Sequence, residues 1–446
     1  MPEIETERTV TDGVLRDVDF SRRGRAVMPA LDYLAEQGLS MVSVPLYPAP
    51  SSGVVAAPKS YTVLVTRDER RLCIPTADLP LRMAMMPTFV DQESRWPEPL
   101  LRGFLEGNYI PPRPEELFGT VAGLFAKYLD VAPVETRILA AFTLCSYWFP
   151  AWAALGILHV QGPFSSGKSR VLTLLQHLAF APISMASATA ASLFKVCGRA
   201  TCLLDEAEMM STAAMKEARL ILQASYRQQG GSVIRCSGRG RVARWPVYGP
   251  KAIASVADLP ADGVLASRCI VLRLHRSTDV AKTGLRLDEM SEDFGAVRAA
   301  MFSTALTRWR DLIATPVDGG GLAARRLECF FPLLQVAGFC DPTGAAATEI
   351  AAYALRSDTP AVQATPLTGD ERKVAEALST VPDDNQERTS AQLRDVVVGR
   401  FPELASMTPA AMGLILAKHG LVTKRHTPQG KLYLVQVQRA ALLSRA

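Results

Sequence analysis

No two of the eight cysteines stand in a C-x-x-C spacing, and only five histidines occur in 446 residues. No zinc site is legible from such a pattern. Cys73, Cys145, Cys197, Cys202, Cys236, Cys269, Cys329 and Cys340 read as small buried hydrophobes of a reducing compartment, several of them within apolar runs. The opening stretch MPEIETERTV is acidic and polar, which predicts no signal peptide and a cytoplasmic location. One charge-free run, Ile138 to Val160, is long enough to span a bilayer, but Pro150 interrupts it and its last residues read as a core strand. The expectation is therefore a buried helix over about Val134–Trp148, then a break, and no membrane partner. No internal repeat is visible. Neither sign of charge dominates: a net charge of +5 permits nucleic acid without demanding it. The apolar share of 48% suffices for a large core, and the length sets a prior of about three domains.

What is present is concentrated in one stretch. Gly162-Pro163-Phe164-Ser165-Ser166-Gly167-Lys168-Ser169 fits the phosphate-loop pattern G-x-x-x-x-G-K-[ST] in full. Ile157–Val160 before it reads as a strand, and Val171 to Leu175 after it as a helix face. Glycines let backbone N–H groups wrap a polyphosphate, and the helix presents its positive N-terminus to the anion. Lys168 would reach the β and γ phosphates, and Ser169 would ligate Mg²⁺. Gly162, Pro163, Ser165, Ser166, Gly167 and Arg170 complete the expected ATP contacts. A second apolar strand, Thr201–Leu204, ends in Asp205 and Glu206. Asp205 is the expected second metal ligand and Glu206 the general base for the attacking water.

The chain divides into an N-terminal accessory domain with β-strands (1–95), a helical lead-in (96–150), a P-loop core (151–276), a helical lid (277–355), a linker (356–369) and a small C-terminal domain (370–446). Strand-like runs in the first part are 41–46, 60–65 and 71–74, with a flexible loop at 48–58. Buried strands are expected at 157–160, 182–186, 202–205, 251–255 and 269–274. Separated by helical stretches, they predict an α/β fold with a five-stranded parallel sheet and helices on both faces.

This order of motifs resembles an AAA+ ATPase, specifically the ring helicases of phages and mobile elements, akin to superfamily 3 and minichromosome-maintenance helicases. The resemblance covers about residues 120–355 and the C-terminal domain. It rests on the two acidic and phosphate-binding motifs, on Gly249 to Ser255, on Leu259-Pro260 and on Leu265 to Ile270. By that similarity Ser255 sits near the sensor-1 position, although no asparagine follows the fourth strand. Arg268 matches the arginine that reaches a neighbouring subunit's γ-phosphate, so hydrolysis would require a ring. Arg325, or the adjacent Arg326, falls where the lid carries its sensor-2 arginine. No polymerising domain is apparent, so a primase or initiator would be a separate chain.

Between the acidic strand and the fourth strand, residues 232–245 read as a β-hairpin around Ser237-Gly238-Arg239-Gly240. It carries Arg235, Arg239, Arg241 and Arg244 and no acid. In the resembling rings a hairpin here projects into the central pore and grips nucleic acid, which implies phosphate contacts by these arginines. The tail reads as a winged helix: helices over about 370–380, 390–400 and 409–419, then strands 421–425 and 431–435. From Lys418 onward there are six Lys or Arg and no acid, and Lys424, Arg425 and Lys431 suit contacts to duplex DNA. The motifs, with what the resemblance implies, predict an ATP- and Mg²⁺-dependent DNA translocase or helicase that forms a ring, a hexamer by the resemblance, and serves as the replicative helicase of a phage or mobile element. Two alternatives stand beside it: an AAA+ loader or remodeller acting on a protein, and a structural nucleotide switch, against which the intact Lys168, Asp205 and Glu206 argue.

Overall fold

Short runs rich in Val, Leu and Thr form an antiparallel sheet in simple order: β1 (Leu31–Leu34), β2 (Leu39–Leu46), β3 (Lys59–Val65) and β4 (Arg71–Pro75). The sequence reading did not include β1, whose four residues are too few to show a period. The computed structural model describes residues 31–35, 38–46, 59–79, 95–185, 189–205, 207, 215–237, 241–256, 259, 264–287, 293–358, 369–382, 388–418, 422–427 and 430–435. The flexible loop expected at 48–58 lies outside them.

Three helices follow: α1 (Glu98–Leu105), α2 (Pro114–Tyr128) and α3 (Pro133–Trp148). α2 and α3 each start on a proline, whose fixed φ suits the first helical turn. α3 is buried along most of its length and gives way to a short turn at Phe149–Ala151, before the next strand. No described helix is long and apolar enough to cross a membrane.

The centre is a five-stranded sheet of β5 (Ile157–Gln161), β6 (Pro182–Met185), β7 (Thr201–Leu204), β10 (Lys251–Ser255) and β11 (Cys269–Arg273), ordered β11-β5-β10-β7-β6. Every pairing in it is parallel. Between its strands lie α4 (Lys168–Leu178), α5 (Ala190–Val196) and α6 (Lys216–Ala224), and a separate antiparallel pair, β8 (Ser232–Ser237) with β9 (Arg241–Pro246). Alternate strand residues serve opposite faces. Leu158, Val160, Ala252 and Ala254 join the core with α3 and α4, while Ile157, Cys202, Leu204 and Ile253 pack with Leu193, Ala218 and Leu222 of α5 and α6. The chain is thus an α/β protein whose parallel sheet is covered by helices on both faces.

Beyond the sheet come α7 (Val280–Gly284), α8 (Phe294–Ala314), α9 (Ala324–Cys340) and α10 (Ala345–Asp358). The antiparallel sheet docks on α8 and α3: Ser40 Oγ donates to the Leu306 carbonyl at 2.7 Å, and Tyr33 OH to that of Tyr147 at 2.7 Å. Residues Met1–Leu355 form one compact unit and Arg356–Ala446 a second. The second unit holds α11 (Gly369–Leu378), α12 (Ser390–Arg400) and α13 (Pro409–Lys418), around a core that includes Val374, Leu378, Leu393, Val397 and Met412. An antiparallel hairpin of β12 (Val422–Thr427) and β13 (Gly430–Val435) completes it.

Candidate nucleotide site and its flanking arginines

β5 lies where the strand order reverses: the chain leaves it for β6 at the far edge, returns through β7 and β10, and crosses to β11. In open α/β sheets the crevice outside the carboxyl end of such a strand is where ligands bind. The phosphate-loop motif occupies this place, between β5 and α4. Its first glycine is pinned by both neighbours of β5. Gly162 N donates to the Ser255 carbonyl at 3.2 Å, and a Cβ on Gly162 would stand 2.6 Å from the Leu274 carbonyl and 2.5 Å from Ser166 Oγ. Only glycine fits there. Ser165 and Gly167 adopt φ of 61° and 95°, which curls the backbone into a concave anion nest.

Lys168 opens α4 and folds back over the loop, its Nζ donating to the carbonyls of Gly162 at 2.7 Å and Pro163 at 2.8 Å. Ser169 Oγ donates to Asp205 Oδ2 at 3.3 Å, so the structure brings together the hydroxyl and carboxylate that the sequence paired. Ser166 Oγ is buried without a hydrogen-bond partner, the state of a group that awaits a ligand. At the other end of α4, Arg95 donates to the carbonyls of Gln176 and His177, and Arg298 to that of His177. Cations at this terminus favour the dipole that points its positive end at the loop. Glu206, expected as general base, lies outside the described residues.

Two expected nucleotide contacts are otherwise engaged. The Arg170 guanidinium donates to the carbonyls of Tyr128, Lys282, Thr283 and Leu285, tying α4 to the segment after β11. Its side chain thus braces the rim, while its backbone N–H stays in the first turn of α4. Ser255 is 1% exposed, and its Oγ hydrogen-bonds His159 Nε2 at 2.7 Å inside the sheet. Its hydroxyl therefore faces the core and not a ligand. The sequence reading missed His159, because a lone histidine in an apolar strand carries no periodic signal. It also missed Arg276, whose Nε holds the Phe164 carbonyl of the loop at 3.0 Å.

Arg268 lies at the opposite edge of the sheet. β11 runs alongside β5 from Cys269↔Ile157 to Arg273↔Gln161. Arg268 thus stands beside the start of β5, while the loop follows its end, about 17 Å away at ~3.3 Å per residue. No arginine side chain spans that gap. Arg268 sits over the Tyr226 ring at 5.0 Å and donates to the Val264 carbonyl. Arg325, in the first turn of α9, reaches the same ring at 5.7 Å. Its neighbour Arg326 instead donates to the Cys269 and Ala354 carbonyls at 3.3 and 3.0 Å. Of the adjacent pair, Arg325 is the exposed one. Arg325 therefore lies on the helical layer beside Arg268, at the edge of the sheet away from the chain's own loop.

In the hairpin, cross-strand register puts Val233, Arg235 and Trp245 on one face and Ile234, Cys236 and Arg244 on the other. The first face packs inward: Trp245 meets Phe194 edge-on at 5.5 Å, and Arg235 lies over Phe194 and pairs with Glu217 of α6. The acid missing from the hairpin is supplied by the preceding helix, and Arg235 is engaged with Glu217 and Phe194 instead of standing free for phosphate. Arg244 is exposed and donates to Ser232 Oγ at 2.8 Å, and Ile234 beside it is 64% exposed. Arg239 and the side chain of Arg241 lie outside the described residues, as do the side chains of Lys424, Arg425 and Lys431 on β12 and β13. Six cysteines are buried as expected, Cys73 is half-buried, and Cys236 is exposed on the hairpin's outer face.

No family model matches the chain. No curated protein matches it. Among solved structures it is similar to a full-length MCM homologue from Methanopyrus kandleri, with 13% identity, a TM-score of 0.37, and coverage of 78% of this chain and 85% of that one. It is also similar to the C-terminal region of NrS-1 in its apo form, with 10% identity, a TM-score of 0.33, and coverage of 84% and 94%. Both likenesses are of low score.

Proposed function

We propose that this chain is an ATP-hydrolysing motor that works on DNA as a ring of copies, in the manner of the helicases its motifs resemble. The observation that carries the reading is a division of labour between the two edges of one sheet. At the carboxyl edge, Lys168, the Ser169–Asp205 pair, the orphaned Ser166 hydroxyl and the glycine-only position at Gly162 fit a nucleotide triphosphate with Mg²⁺. Ser169 and Asp205 would hold the metal, which would supply charge neutralisation at the phosphates. Lys168 exchanges its two loop carbonyls for phosphate oxygens, and Glu206 is the candidate to orient and deprotonate water. At the amino edge, Arg268 and Arg325 lie beyond reach of their own loop. They serve hydrolysis only if a second copy presents its loop to them, which favours a closed head-to-tail ring, a hexamer by the resemblance.

The hairpin is the candidate grip on single-stranded DNA, through Arg244 and, beyond the described residues, Arg239 and Arg241. The C-terminal unit, three helices and a basic hairpin, is proposed as a winged helix that meets duplex DNA. A separate primase or initiator is the implied partner. The test is ATP turnover with and without single strands, together with strand displacement on forks of both tail polarities. Strong stimulation and unwinding are expected.

One observation favours the second reading, a loader or remodeller whose load is a protein. The hairpin's outer face presents Ile234 and Cys236 next to Arg244, and Arg235 is neutralised by Glu217. Turnover indifferent to DNA but raised by a replication protein would select it.

A further inference from the structure

Tyr226 is surrounded by guanidinium groups from three separate stretches of chain. Arg227 is its neighbour in sequence, Arg268 precedes β11, and Arg325 opens α9. Their carbons lie 5.3, 5.0 and 5.7 Å from the ring centroid. Arg227 is ion-paired with Glu328. Arg268 Nε is buried with no hydrogen-bond partner. Like charges drawn to one spot repel, so something must hold them there. The face of an aromatic ring is the negative pole of its quadrupole and attracts cations within about 6 Å. The Tyr226 ring is 4% exposed, a setting where the weak screening by water lets that attraction count.

The ring itself is fixed from the backbone. Leu155 N donates to the Tyr226 carbonyl at 2.8 Å, Gln228 N to that of Ala153 at 2.8 Å, and Ala154 forms an antiparallel bridge with Arg227. The stretch that carries Tyr226 is thus pinned to the stretch that enters β5. A floating arginine would have to order itself anew at each turnover. Two arginines held against one fixed ring, at 5.0 and 5.7 Å from its centroid, are ordered beforehand, and preorganised cations stabilise developing charge most effectively.

We propose that Tyr226 is a positioning residue. Its ring holds Arg268 and Arg325 side by side as a two-pronged donor for the terminal phosphate bound by a neighbouring copy. This rests on the ring reading given above. The role demands an aromatic face and not a hydroxyl. Tyr226→Phe keeps that face, whereas Tyr226→Leu and Tyr226→Met keep bulk and lose it.

The experiment is steady-state ATP hydrolysis by the full chain with single-stranded DNA, alongside thermal unfolding. Tyr226→Leu is expected to lower kcat roughly 10-fold with KM for ATP unchanged and a lower but still cooperative unfolding midpoint, since the ring is buried, while Tyr226→Phe stays near the unmodified kcat. Tyr226→Leu added to Arg268→Ala/Arg325→Ala is expected to cost nothing more. Mixed with Lys168→Ala copies, which retain the arginines, Tyr226→Leu should regain turnover, because its own loop is intact. Tyr226→Met, close in volume, serves if Tyr226→Leu does not fold. An unmodified kcat in the non-aromatic variant overturns the proposal. So does a Phe variant as impaired as Leu, or a Leu effect that persists in full without the two arginines. Failure of the ring reading looks different: Arg268→Ala/Arg325→Ala would itself hydrolyse ATP at the unmodified rate.

Discussion

The two edges of the central sheet are built in opposite ways. At the carboxyl edge most of the relevant groups among the described residues come from eight consecutive ones, Gly162 to Ser169, joined by Asp205 just after β7 and by Arg276 against the loop. At the amino edge Tyr226, Arg268 and Arg325 come from three elements spread over a hundred residues. The first edge is a local backbone device: positive-φ residues and a helix terminus shape it, and its neighbours merely pin it. The second exists only once α9, the turn before β11 and the end of α6 have packed together. A phosphate-binding loop can therefore be recognised as a string, and a composite arginine cluster cannot.

The sharpest test of this contrast breaks each edge separately. Arg268→Ala should lower turnover roughly 10³-fold while leaving nucleotide binding intact, since an arginine donated in trans acts on transition-state charge. Lys168→Ala should lower turnover roughly 10²–10³-fold and weaken nucleotide binding as well. Fluorescent-nucleotide titration separates the two. Mixing the two inactive proteins should restore some hydrolysis at mixed interfaces. Persistent silence, with mixed assembly confirmed, would place both edges in service of one copy.

The hairpin offers a smaller version of the same comparison, between its two faces. Arg244→Glu, on the outer face, should reduce stimulation by DNA several-fold at low salt and less at high salt, since phosphate contacts are screened. Arg235→Ala should leave stimulation largely intact. The half-exposed Arg235–Glu217 pair contributes about 0.2–1 kcal/mol, so stability should fall only slightly. If Arg235→Ala abolishes stimulation instead, the inward face is not an anchor.

Gly162→Ala should destabilise the fold by about 1–3 kcal/mol, because the new Cβ meets the immobile Leu274 carbonyl. Chemical denaturation would measure it, and an unshifted midpoint would mean the loop yields more easily than its contacts suggest.

The least perturbing test uses thiol chemistry. Burial pushes the Cys329 thiol up to about 11. At pH 8 it stays protonated, and burial keeps reagent away from it and from the other buried thiols. A thiol reagent should label Cys236 first and Cys73 more slowly. A bulky adduct on Cys236 should then blunt DNA stimulation without touching basal hydrolysis. Rapid labelling of a third cysteine would show that the core opens.

Much of the fold was legible because it rests on local rules. The buried strands β5, β6, β7, β10 and β11 are apolar runs bounded by turns, and their order along the chain required a parallel sheet. The stretch 96–150 read as helical, and α3 as a buried helix over about Val134–Trp148, because apolar residues run on from Ile138 without a charge. β1 was invisible because four residues show no period. The register of β8 on β9 decided which hairpin arginine turned inward, since a shift of one residue would exchange the faces. The side-chain partners of Arg170 and Ser255 were not legible, because proximity in sequence to a site says nothing of where a side chain points: one braces four carbonyls and the other bonds His159.

By itself, then, the sequence determined the phosphate loop, the acidic strand end and the alternation of strands and helices, since each depends on backbone geometry and on periods of a few residues. Only the tertiary structure decided the strand order β11-β5-β10-β7-β6, the burial of Ser255, the pairing of Arg235 with Glu217 and the gathering of Arg268 and Arg325 around Tyr226. Those depend on contacts between residues far apart in the chain, and such contacts leave no local trace because any of many partners would satisfy the same charge or ring.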